Sequence, residues 1–155
     1  MNFPDPDRTD EMRVALAIQI PSDVNEIERV VAQVTAQCAA LRLGPRQLAL
    51  AVPVALTEAL SNAIVRANRE DPEKRVEVRA LVDPSRVILE VKDEGPGFDI
   101  DACTIDPTTP DQVEREDGRG LFLMRKLVDH VERFDADPHG SIIRLTLHRR
   151  GEAER

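Results

Sequence analysis

Two short runs of alternating apolar residues, joined by a three-residue turn, constrain this chain more than any other feature. Val76, Val78, Ala80 and Val82 recur with period two, and so do Val87, Leu89 and Val91. Side chains alternate between the two faces of a strand, so each run presents one apolar face. Asp83-Pro84-Ser85 lies between them. Asp bonds the amides that follow it and Pro presets φ, so this is turn chemistry, and the whole predicts an antiparallel hairpin. Residue 93 keeps the parity of 87, 89 and 91, which sends Asp93 out of the second strand on its core-facing side. A carboxylate aimed inward is costly unless donors meet it.

The other elements follow from the same logic. Val14, Leu16, Ile18 and Ile20 alternate and predict an earlier strand, ended by Pro21-Ser22-Asp23. Asp23 with Glu26 three residues on has the form of a capping box. Val24, Ile27, Val31, Val34, Cys38 and Leu41 then share one helical stripe, which Gly44-Pro45 breaks. A second helical run reaches about Asn68, with Leu56, Leu60, Ala63 and Ile64 on one side. Pro53 inside it predicts either a bend or a helix that starts near that point. Leu121, Met124, Leu127, Val128 and Val131 fit a short third helix. Strands are expected over Val131–Asp135 and Ile142–Leu147, around a turn at Asp137-Pro138-His139-Gly140. Residues 99–117 lack a period and hold seven Asp or Glu, so they are a candidate mobile loop. Residues 1–11 are expected to be a flexible tail and 12–150 a single domain.

Composition narrows the function classes. The 155 residues carry a net charge of −8, which argues against nucleic acid as the main ligand. Tyr and Trp are absent and there are four Phe, so stacking platforms for bases are not expected. No apolar run is expected to approach the roughly 20 residues that cross a bilayer. The acidic, Pro-broken start has no leader pattern, which makes the cytoplasm the expected compartment. Cys38 and Cys103 stand alone without metal spacing, and Cys38 reads as a small buried hydrophobe. His130, His139 and His148 have neither metal spacing nor a nucleophile partner.

Three constellations carry chemistry. Glu58 and Asn62 are one helical turn apart on one face. An Asn carbonyl offers Mg2+ an oxygen without adding charge beside phosphates, and a nearby Glu can take a proton from a hydroxyl. Asp93-Glu94-Gly95-Pro96-Gly97-Phe98 follows a strand, and its glycines let backbone approach a ligand closely. Asp93 could accept the exocyclic amine of adenine. Gly118-Arg119-Gly120-Leu121 is read as a glycine loop that opens the third helix, where free N–H groups favour phosphate. No Gly-Lys-Ser/Thr follows it, so it is not a Walker A loop.

In this order, the motifs resemble those of the GHKL ATPase superfamily. Glu58-Ala59-Leu60-Ser61-Asn62-Ala63-Ile64 resembles the N-box, Asp93–Phe98 the G1 box, and Gly118-Arg119-Gly120-Leu121-Phe122-Leu123-Met124 the G2 box. Gly140-Ser141 resembles the late Gly-Thr pair that helps to hold adenine. The wording of the third box, and the small size, are similar to the bacterial anti-sigma factor serine-protein kinases. The resemblance implies a two-layer α/β sandwich, with a mixed, largely antiparallel sheet and helices on one face. It implies ATP and Mg2+, with Glu58 as general base, Asn62 as the metal-linked residue and Asp93 on adenine. Gly95, Gly97 and Phe98 would shape that pocket. Residues near 104–117 would form a lid, and Arg66, Gly118, Arg119, Gly120, Leu121 and Ser141 would complete the nucleotide site. It implies as partners a sigma factor, a STAS-domain anti-anti-sigma substrate and a second copy of the chain, and neither nucleic acid nor membrane. Arg66 stands where many relatives carry His, and Ser141 where they carry Thr. A nucleotide-binding switch that docks a phosphatase or another regulator stays open beside the kinase reading. The catalytic domain of a histidine kinase is disfavoured, because no phospho-accepting helical hairpin precedes Glu58.

Overall fold

A computed structural model of the chain describes residues 12–95, 116–136 and 139–150. Five strands form one sheet: β1 (Arg13–Pro21), β2 (Arg75–Val82), β3 (Arg86–Lys92), β4 (His130–Asp135) and β5 (Ser141–His148), in spatial order β1-β2-β3-β5-β4. Every pairing among the described residues is antiparallel. The expected hairpin is β2–β3, with Val82 opposite Val87. Asp83 closes its turn by accepting the amides of Ser85 and Arg86 at 2.8 and 2.9 Å.

One face of the sheet carries the core. Val76, Val78, Ala80, Val82, Val87, Leu89 and Val91 are all buried there, as their parity predicts. Against them lie α1 (Ile27–Cys38), α2 (Val52–Ser61) and α3 (Glu116–Leu127). In α1 the buried stripe is Val30, Val34 and Cys38; Val24 is largely exposed, and Ile27 and Val31 lie at the margin. Val34, Cys38 and Leu41 are buried as read from the sequence, and Val30 takes the place of Val31, so the stripe is turned by only a fraction of the roughly 100° between neighbouring residues. Burial pushes the Cys38 thiol up to about 11, so it packs as an inert hydrophobe.

The capping box does not form. The Asp23 carboxylate accepts the Asn25 amide at 2.9 Å, but the Asp23 N–H already donates to Pro21 O. Glu26 turns instead to Arg29, one turn on.

The helical run through α2 is continuous from Gln47 to Ala67, with wide π-helical turns at Gln47–Ala51 and Asn62–Ala67. Pro53 lies in the first turn of α2, which starts at Val52, so the second sequence alternative holds, with a wide turn leading into it. The N–H that Pro53 lacks falls where the ladder returns from i−5 to i−4 bonding, which lets the ring follow a wide turn. These 21 residues are also long and apolar enough to cross a membrane, which corrects the expectation that no such run exists. Half of the run is buried inside the domain, with Leu56, Leu60 and Ile64 at 0% exposure, as befits its central core helix. Leu60→Ala is expected to cost about 3 kcal/mol through lost transfer energy and the cavity left behind, read as a shift of the urea midpoint.

The opposite sheet face holds a ladder of charge. Glu90, almost fully buried, is gripped by Arg79 on β2 at 2.6 Å and by Arg144 on β5 at 2.7 Å. The Arg144 guanidinium stacks 4.6 Å from the Phe134 ring centre on β4. Both carboxylate oxygens are thus paired, and removing either arginine would leave a buried charge with one partner.

Candidate functional site

The site is built where β3 ends, β5 begins and the α2 run ends. Asp93 follows β3 directly, and its backbone N–H donates to Ser141 O at 2.9 Å. Its side chain is 2% exposed. Oδ1 accepts the amides of Gly95 (2.9 Å) and Ser141 (3.1 Å), and Oδ2 accepts the Ser141 hydroxyl at 2.9 Å. Three donors inside the protein therefore meet the inward carboxylate, and its burial needs no ligand to explain it. A carboxylate has about four acceptor positions, so Oδ2 keeps one for an amine such as that of adenine.

Two close backbone approaches fix this cluster. Gly140 has φ +95, and a Cβ there would lie 2.0 Å from Asp93 O. A Cβ on Gly95 would lie 2.2 Å from Ala67 O, at the end of the α2 run. The Asp93 turn is therefore seated directly on that helix end.

Glu58 and Asn62 project from the same run, as the four-residue spacing predicts. Asn62 is 6% exposed, and its Nδ2 is buried without a partner among the described residues. An orphaned buried amide is uncommon and calls for a group that would satisfy it. Glu58 is half-buried, and its carboxylate lies against α3: a Cβ on Gly120 would be 2.7 Å from Glu58 Oε1. Arg66 is exposed on the last wide turn of the run.

The third motif is corrected in form. Gly118-Arg119-Gly120 does not precede the helix; α3 already begins at Glu116 and runs through these residues. Two glycines inside a helix cost about 1 kcal/mol each relative to Ala. At Gly120 the contact with Glu58 gives the reason, because a side chain would occupy the space of the carboxylate. Leu121, at 0% exposure, anchors the same helix in the core. Gly97, Phe98 and most of the candidate loop at 99–117 lie outside the described residues, as do the 1–11 tail and Cys103.

The donor set suits a nucleotide that brings its own phosphate oxygens. No cluster of three His, Cys, Asp or Glu occurs among the described residues. Asn62 offers one neutral oxygen, which fits an ion held mostly by phosphates and water.

Sequence reasoning missed Asn68. Its side chain is at 0% exposure; Nδ2 donates to Ser22 Oγ at 2.9 Å and to Arg75 O at 3.1 Å, and Oδ1 accepts the Glu94 amide at 2.8 Å. The only sequence signal was an amide placed just beyond the end of an apolar helix.

Comparison with known proteins gives the same outline. Residues 20–147 match the sequence profile of the histidine kinase-like ATPase domain. The serine-protein kinase RsbW of Bacillus subtilis (strain 168) is 40% identical over 84 residues, 50% of this chain and 52% of that protein. The anti-sigma F factor of Heyndrickxia coagulans is 36% identical over 96 residues, 60% of this chain and 65% of that protein. The chain thus spans about half to two thirds of the length of the curated relatives it matches. Among solved structures, the mycobacterial sensor histidine kinase MprB matches in fold, with TM-score 0.55 and 20% identity over 88% of this chain and 99% of that one. With the antiparallel sheet, the three helices and a profile match over most of its length, the chain belongs to the histidine kinase-like ATPase domain family.

Proposed function

We propose that this chain is an ATP-dependent protein-serine/threonine kinase and anti-sigma factor. It phosphorylates a STAS-domain anti-anti-sigma protein and sequesters a sigma factor. The observation that carries the nucleotide part is the buried Asn62 amide, whose Nδ2 has no partner among the described residues, one turn beyond Glu58 on the same helix. The printed names of the relatives, a serine-protein kinase and an anti-sigma factor, support the kinase and sigma-binding part.

Bound ATP supplies the transferable phosphoryl group and most of the oxygens around Mg2+. In this reading the chain's residues position and stabilise. Asp93 Oδ2 accepts the adenine amine, beside Ser141 and Gly95, with Gly97 and Phe98 closing the same pocket. Asn62 would hold the metal through its amide oxygen. Arg66, Arg119 and the first-turn backbone at Gly118 serve the phosphates, while Gly120 and Leu121 shape the site from within α3. Glu58 takes the proton of the substrate hydroxyl as that oxygen bonds to the γ-phosphorus and ADP departs, a general-base role. The working form is a cytoplasmic homodimer.

The test is transfer of labelled γ-phosphate from ATP to a STAS-domain protein encoded beside the gene, with Asn62→Ala as control. Transfer by the parent, lost in the variant, supports the proposal. Nucleotide binding without transfer to any such protein overturns the kinase assignment in favour of a nucleotide-controlled docking switch. A second measurement isolates the nucleotide claim. Mg·ADP at a hundredfold its Kd stabilises the native state by about 2.7 kcal/mol, which raises Tm by roughly 5–10 °C. No shift at millimolar Mg·ADP would sink the ATP assignment.

A further inference from the structure

We infer that Asn68 is a positioning residue for nucleotide binding: it sets the Asp93–Gly95 turn on the end of the helix that carries Glu58 and Asn62, and so governs nucleotide affinity rather than transfer. The inference rests on the nucleotide reading above and deepens it.

Three observations carry it. Asn68 is fully buried with all three of its side-chain hydrogen bonds made inside the protein, so its orientation is fixed. Two of them, from Nδ2 to Ser22 Oγ and to Arg75 O, tie the helix end to the sheet edge at β1 and β2. Ser22 Oγ in turn donates to Lys74 O at 2.6 Å, which completes that arm. The third bond is different in kind. Oδ1 takes the amide of Glu94, the residue between Asp93 and Gly95.

The neighbouring contacts show why one amide matters. Gly95 sits so close to Ala67 O that a Cβ would be 2.2 Å away, so the turn and the helix end are in direct contact. Glu94 also reaches back, its Oε2 accepting the Arg75 amide at 3.0 Å. The peptide that orients Asp93 is thus clamped on both sides of residue 94. The helix end itself is held in an unusual shape: Asn68 N bonds Ala63 O at 2.9 Å, five residues back, and Arg69 and Glu70 have positive φ. Such a shape persists only where surrounding bonds fix it. Without the Oδ1 acceptor the Glu94 N–H loses its partner, and the turn gains freedom that a nucleotide must remove on binding.

The test is calorimetric binding of Mg·ADP to the full chain, with single-turnover transfer at saturating ATP. Asn68→Ala is expected to bind Mg·ADP about tenfold more weakly, while transfer at saturation stays within about threefold. Ser22→Ala breaks the other arm only. It is expected to lower Tm and leave Mg·ADP affinity within about twofold. Asn68→Ala with parental affinity, and only the Tm loss of Ser22→Ala, overturns the assignment and leaves a structural amide. If Asn68→Ala does not fold, Asn68→Asp answers instead. It keeps the acceptor for Glu94 N–H and gives up both donors, so affinity within about threefold supports the inference and a tenfold loss overturns it. Absence of Mg·ADP binding by the parent chain is a distinct result, which removes the nucleotide reading and this inference with it.

Discussion

Glu58→Gln is expected to lower phosphoryl transfer by about a hundred- to ten-thousandfold while leaving Mg·ADP affinity within about twofold. Gln has the shape of Glu, so the space left by Gly120 stays filled and the helix contact is kept. What is lost is the capacity to accept the substrate proton. Gly120→Ala makes the complementary perturbation. It leaves the carboxylate intact but puts a methyl group 2.7 Å from where Oε1 now lies, so the carboxylate must move. Misplacement of a reacting group by about 1 Å can cost a hundredfold. Rapid-quench transfer assays on both variants, beside ADP calorimetry, separate the roles. Parental transfer by Glu58→Gln would remove the base assignment outright.

Gly140→Ala should have the largest effect on stability, a loss of about 3 kcal/mol or more. Two costs combine. The backbone at φ +95 disfavours any L side chain, and the new Cβ would meet Asp93 O at 2.0 Å and Glu94 Cα at 3.1 Å. Both obstacles are backbone atoms, so no side-chain rotation relieves them. The strand ends must part, which breaks the bonds from Ser141 N and Oγ to the Asp93 carboxylate. A buried carboxylate that loses donors is itself costly. Urea unfolding should show a lower midpoint, and Mg·ADP binding should fall with it. An unfolding free energy within about 0.5 kcal/mol of the parent would show that the loop accommodates the methyl group by another route.

The strands were readable because period two translates directly into a buried face. Val87, Leu89 and Val91 carried the parity to Asp93, and that residue is indeed buried at the site. The Glu58–Asn62 pair was readable because four residues make one helical turn. Three features were not. The rotation of the α1 stripe turned on Val30, which the sequence offered as one more valine beside Val31. The start of α3 at Glu116 rather than Leu121 was hidden because two glycines argue locally against a helix, and only the Glu58 contact across the site explains one of them. Asn68 was hidden because its partners, Ser22, Arg75 and Glu94, are far away in sequence or within another motif.

The wide turns of the central helix have a consequence for how this chain can change length. A π-helical turn holds one residue more than a regular turn would, and removing it shifts what lies on one side of that turn. Deletion of one residue within Gln47–Ala51 would restore an ordinary ladder and swing only what precedes it, leaving Glu58 and Asn62 in register. The same deletion within Asn62–Ala67 would carry Ala67 and Asn68 about 100° around the axis, away from Gly95 and the Glu94 amide. Equal losses at the two ends of one helical run would thus be read differently: the first as a change of loop geometry, the second as an unseating of the pocket.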